Sequence, residues 1–155
     1  MKLELAMIAV LATAAVPAFA AGDATKGEAV FKQCQTCHAV IDADGKLLAG
    51  KGKIGPNLFG LFGRVAGSYE GFKYGASLVA AGAAGLVWDE ASFVAYVQNP
   101  TEFLKTTLAD TGAKSKMAYK LKDAASAENV YAYLAQFSPA PVPAADAAAP
   151  ATTAP

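Results

Sequence analysis

Apolar side chains recur at Gly27, Val30, Phe31 and Cys34, the i, i+3, i+4, i+7 spacing of one helical face, and Asp23 stands where it can cap the first turn. The same spacing returns at Val130, Tyr133, Leu134 and Phe137, in a helix opened by Asp123 or Ser126. Each helix has one apolar stripe to bury, and packing the two against each other is the economical solution. Between them the pattern predicts a short helix over Ser77–Ala84, stopped by Gly85. Asp89 caps another helix, with Phe93, Tyr96 and Val97 on one face and Asn99-Pro100 at its end, and Pro100 opens a further short turn through Lys105. From Gly45 to Gly71 no period survives, and eight of the fourteen glycines fall there. That stretch predicts a loop rather than helix or sheet, wrapped closely around something flat. The expectation is an all-α domain with long loops.

The two ends read differently. Lys2, an apolar run from Leu5 to Val16, and Ala18-Phe19-Ala20 form an export signal over residues 1–20, cleaved after Ala20 or Ala21. The run is too short to span a bilayer comfortably. Residues 139–155 are almost entirely Ala, Pro and Thr, with too little to bury, and read as a disordered tail. One domain over residues 21–138 remains. Its expected location is the periplasm. Thirteen basic residues balance thirteen acidic ones, which argues against a nucleic-acid partner.

The chemistry enters at Cys34-Gln-Thr-Cys37-His38. Cys-x-x-Cys-His is the attachment sequence of a c-type haem: two sulfurs on one side of a helical turn form thioethers with one porphyrin, and the adjacent imidazole reaches the iron. A structural zinc site needs four ligands, but the chain has two cysteines and one histidine. A thioredoxin-like dithiol would follow a strand, whereas a helical stripe runs into Cys34. A disulfide across two residues would close too small a loop to stabilise much. A single covalently attached haem c, with His38 as the proximal iron ligand, is the expectation.

The sixth iron position follows by elimination. His38 is the only histidine, which among soft or nitrogen donors leaves Met and Lys, and of the three methionines Met1 and Met7 belong to the export signal, leaving Met117. A thioether opposite imidazole raises the reduction potential, as suits an electron carrier. The flanking segment, Ala113 to Lys122, shows no sustained apolar stripe that would make Met117 a core filler. With both axial positions filled no substrate can reach the iron. An open distal site would instead make the chain a haem enzyme such as a peroxidase, or a redox or gas sensor. Lys105, Lys114, Lys116, Lys120 and Lys122 cluster around Met117, while Asp42, Asp44, Glu70, Asp89 and Glu90 lie far from it in sequence. Such asymmetry on a neutral whole steers encounter with an anionic partner.

Gly27-x-x-x-Phe31, Cys34-x-x-Cys-His38, Gly55-Pro56-Asn57-Leu58, Phe72-Lys-Tyr74, Trp88, Tyr96-x-x-Asn99-Pro100 and Lys116-Met117, in that order, resemble the class I c-type cytochromes of the bacterial cytochrome c2 and c-550 type. Four-helix-bundle cytochromes carry the haem motif near the C-terminus and fit less well. The resemblance implies a class I cytochrome c fold, with several short helices and Gly-rich loops around one haem c. It implies that the Pro56 carbonyl orients His38, that Arg64, Tyr74 and Trp88 meet the haem propionates, that Tyr96 lies near the Met117 sulfur, and that Gly27 and Phe31 cross Val130 and Tyr133. It further implies a monomeric electron carrier rather than an enzyme. The donor would be a membrane quinol:cytochrome c oxidoreductase, and the acceptor a photosynthetic reaction centre or a terminal cytochrome c oxidase. Tyr119 departs from the pattern, since mitochondrial relatives usually carry Phe soon after the axial methionine.

Overall fold

The Asp23 carboxylate accepts from the amides of Thr25 and Lys26 at 2.9 and 3.0 Å and starts helix α1, Ala24–Phe31. The computed structural model describes residues 22–138, so the export signal expected over residues 1–20 and the tail expected over 139–155 fall outside the described residues. Asp123 does for the last helix what Asp23 does for the first: its carboxylate accepts from the Ser126 amide at 2.8 Å and opens α5, Ala124–Ala135. Ser126 therefore lies in the first turn, and Asp123 is the cap.

The two stripes meet. A Cβ on Gly27 would collide with the Asn129 carbonyl, so the α1 and α5 backbones approach as closely as glycine allows. One turn on, the Phe31 and Tyr133 rings lie 5.4 Å apart. The Asn129 side chain accepts from the Asp23 amide at 2.7 Å and ties the start of α1 to the same crossing.

The middle of the chain adds α2 (Ala76–Ala83), α3 (Glu90–Gln98) and α4 (Pro100–Leu108). Asp89 caps α3 through a reciprocal pair: its carboxylate accepts from the Ser92 amide at 2.8 Å, and the Ser92 hydroxyl accepts from the Asp89 amide at 2.9 Å. α3 packs on α5 and α4, and α4 packs on α2. Leu104 and Leu134 are fully buried, and Trp88 stands edge-on to Tyr96 at 5.0 Å. Among the described residues no helix is long and apolar enough to cross a membrane.

Two expectations need correction. The glycine-rich stretch is not all loop: β1 (Ala39–Ile41) pairs antiparallel with β2 (Leu47–Gly50), Val40 facing Ala49. The cause is local, because the Asp42 carboxylate accepts from the amides of Asp44 and Lys46 at 3.1 and 2.8 Å and Gly45 supplies a φ of 81°. That is a tight turn between two apolar strand ends. The turn begun by Pro100 runs past Lys105 to Leu108, because the buried Leu104 gives it an apolar anchor.

Candidate functional site

The turn after α1 is built from its own backbone. The Cys34 amide donates to the Phe31 carbonyl at 2.8 Å, and the amides of Cys37 and His38 both donate to the Cys34 carbonyl at 3.0 Å. This winding extends the helical sense beyond Phe31 and brings Cys34, Cys37 and His38 into the wall of one cavity of about 540 Å³. Neither cysteine is in a disulfide and both are half-buried, and burial, reinforced by Cys37, disfavours a Cys34 thiolate.

His38 is held in one tautomer. Its Nδ1 lies 2.9 Å from the Pro56 carbonyl, which can only accept, so Nδ1 carries the proton and Nε2 keeps its lone pair. Burial lowers the imidazole pKa, and the Pro56 bond opposes that shift only in part. The ring is therefore neutral at physiological pH. Gly55 makes the arrangement possible, since a Cβ there would collide with the imidazole. The Gly55 amide in turn donates to the Cys37 carbonyl at 2.8 Å and pins the 52–56 loop against the cysteine turn.

Met117 reaches the same cavity from the segment between α4 and α5. Its amide donates to the Ser115 hydroxyl at 3.0 Å, and that hydroxyl also bonds the Tyr96 hydroxyl at 3.0 Å. Tyr96 thus acts on the Met117 segment through Ser115, a residue the sequence reading passed over. A serine two positions before the residue whose amide it accepts is the local signal that could have found it. Burial raises the Tyr96 pKa despite the Ser115 bond, so the phenol remains protonated.

The remaining expected residues divide. Pro56, Tyr74 and Trp88 line the cavity with the four motif residues, and Leu58, Leu121 and Leu134 make its wall apolar. Arg64 lies outside that wall. Its Nε, Nη1 and Nη2 donate to the carbonyls of Gly60, Asn57 and Phe59 at 3.2, 3.2 and 2.7 Å, and the guanidinium sits 4.9 Å over the Tyr69 ring. Three of five donors therefore brace the 57–64 loop. Burial lowers the Arg64 pKa, with Tyr74 and Tyr69 opposing. Of the lysines, Lys114 and Lys116 line the cavity. Lys116 Nζ donates to the Lys73 carbonyl at 2.8 Å, Lys105 pairs with Glu102 at 3.7 Å, and Lys120 and Lys122 are exposed.

A cavity of this volume is within the roughly 300–1,000 Å³ of ligand pockets. Its apolar wall, paired thiols, neutral imidazole and lone thioether form the donor set of a flat metal macrocycle rather than of a polar substrate. The class these features define is a small helical domain folded around a redox cofactor. Comparison with known proteins agrees. A cytochrome c2 of Cereibacter sphaeroides is 50% identical over 139 residues, spanning 88% of this chain and 96% of the relative. A cytochrome c-550 of Paracoccus versutus is 42% identical over 142 residues, spanning 90% of this chain and 91% of the relative. The crystal structure of cytochrome c2 from Rhodobacter sphaeroides superposes with a TM-score of 0.74 at 51% identity, covering 76% of this chain and 97% of that one. No protein-family model matches. The chain belongs to the class I cytochromes c of the cytochrome c2 and c-550 type, haem-iron electron-transfer proteins rather than enzymes.

Proposed function

We propose that this cytochrome carries single electrons on one haem c, held covalently by Cys34 and Cys37 and ligated through His38 Nε2 and the Met117 sulfur. The observation that carries the reading is the convergence of those four side chains on one apolar cavity, with His38 Nδ1 already committed to Pro56. When bound, the group supplies a reversible one-electron ferric/ferrous couple. The chain's own residues set how that couple is used. Pro56 fixes the tautomer and orientation of His38, and accepting from its Nδ1 makes Nε2 more basic. Met117 brings a soft, uncharged donor that raises the potential. Ser115 and Tyr96 hold the Met117 backbone in place, and the leucine-rich wall keeps water out. Tyr74 and Trp88 would meet the propionates from the cavity wall, and Arg64 would meet them from the adjoining loop that its guanidinium braces.

With both axial positions taken by protein, reaction is reduced to docking. Lys114 and Lys116 line the Met117 side of the cavity, and with the exposed Lys120 and Lys122 of the same segment they would form a positive face for an anionic partner, Lys105 contributing less because it is paired with Glu102. Such interfaces are small, below roughly 1,200 Å², so that release is fast. The donor is a membrane quinol:cytochrome c oxidoreductase, and the acceptor a photosynthetic reaction centre or a terminal oxidase. Residues 1–20 direct export, and the carrier works in the periplasm as a monomer. The test is carbon monoxide added to the ferrous holoprotein at neutral pH. The spectrum is expected to stay unchanged; ready binding would overturn the closed site and favour a peroxidase or sensor.

A further inference from the structure

One contact joins two parts of the cavity rim that nothing described so far connects. Tyr119, two residues beyond Met117, donates its hydroxyl to Oε1 of Gln33, the residue before Cys34, at 2.6 Å across 86 positions of sequence. Both side chains line the cavity, and Tyr119 is 38% exposed, so the bond closes the solvent edge rather than the core.

The other hydrogen bonds of the Met117 segment reach different neighbours. The Lys114 amide donates to the Ser77 hydroxyl at 3.0 Å, Lys116 Nζ to the Lys73 carbonyl at 2.8 Å, the Ser115 amide to the Thr101 hydroxyl at 3.4 Å, and the Leu121 amide to the Val97 carbonyl at 2.8 Å. These hold the segment to α2, α3, α4 and the loop before α2. Among the described residues, Tyr119 to Gln33 is the one hydrogen bond from residues 113–121 to the cysteine turn. A phenylalanine would fill the same space and leave that rim unfastened.

We propose that Tyr119 is a positioning residue whose bond to Gln33 latches the Met117 segment onto the Cys34 turn, restraining the local opening by which a small external ligand could displace Met117. The proposal rests on Met117 being an iron ligand. An O–H to amide-oxygen bond at 2.6 Å is at the short end of its range and so well formed. Its net worth at a solvent edge corresponds to about a fivefold change in an opening equilibrium.

The test compares wild-type, Tyr119→Phe, Gln33→Leu and doubly substituted ferric holoproteins in two readouts: the rate of imidazole binding, and amide hydrogen exchange over residues 117–121. Each single variant is expected to bind imidazole about fivefold faster, and to exchange faster by the same factor in a way that denaturant does not change, the mark of local opening. The double variant is expected to match the singles, because one bond is lost in all three. Unchanged rates in variants that keep the ferric sulfur-to-iron charge-transfer band, or fully additive effects, would overturn the latch alone. A wild-type protein without that band would overturn the Met117 reading and the latch together.

Discussion

Replacing Gly27 with alanine sets two effects of opposite sign against each other, and the structure decides between them. In the interior of α1 alanine is the better helix former, by roughly 0.5–1 kcal/mol. The added methyl, however, would collide with the carbonyl of Asn129 on α5 and come within 2.8 Å of the Tyr133 Cβ. The Asn129 atoms belong to the backbone and cannot rotate away, so α1 and α5 must move apart. Separation loosens the Phe31–Tyr133 contact, now 5.4 Å between centroids, and the Asn129 bond to the Asp23 amide. Overpacking of this kind costs about 1–3 kcal/mol, and loss of an aromatic contact about 0.5–1.5 kcal/mol more. The net expectation is destabilisation by about 0.5–4 kcal/mol, a fall in Tm of a few to roughly twenty degrees for a domain this size. The assay is thermal unfolding of the holoprotein followed by far-ultraviolet circular dichroism. A Tm equal to or above the wild-type value would refute the close crossing, because helix propensity alone would then have set the sign.

The caps make a pH-dependent prediction. Hydrogen bonds from Lys26 and Thr25 hold the Asp23 carboxyl below its ordinary value of 3.8, and Ser126 does the same for Asp123. A lowered folded-state pKa contributes stability that is present above the unfolded value and lost as pH falls through the folded one. Asp23→Ala and Asp123→Ala should therefore lower Tm at pH 7 and differ from wild type progressively less below about pH 4; a constant difference across that range would reject the carboxylate cap. On the rim, Lys114→Glu with Lys120→Glu should slow reaction with an anionic redox partner by about tenfold at low ionic strength and converge on the wild-type rate at high salt. An unchanged low-salt rate would place docking elsewhere.

Much of this molecule is legible in its sequence where the physics is local. Asp23, Asp89 and Asp123 cap amides two or three residues ahead, and the stripes ending at Cys34 and Phe137 declare that α1 and α5 have faces to bury. The cysteine-histidine run and the elimination that leaves Met117 need no structure either. The β1–β2 hairpin was hidden because the density of glycine outweighed an Asp42-to-Lys46 turn that binds its own backbone. The extent of α4 depended on where Leu104 is buried, which no local pattern states. Long-range polar contacts were invisible for a plainer reason: nothing near Gln33 or Tyr119 marks them as partners 86 positions apart. Arg64 adds a contact its type did not announce: its fork bonds the carbonyls of its own loop.

The central claim is that the Met117 sulfur occupies the iron position opposite His38. Proton magnetic resonance of the diamagnetic ferrous holoprotein tests it most directly, because a methionine methyl seated over a porphyrin face is shifted strongly upfield by the ring current. One isolated three-proton upfield resonance, present in wild type and missing in Met117→Ala, is the predicted result. A wild-type spectrum without that resonance, or one that the substitution leaves untouched, would contradict the account.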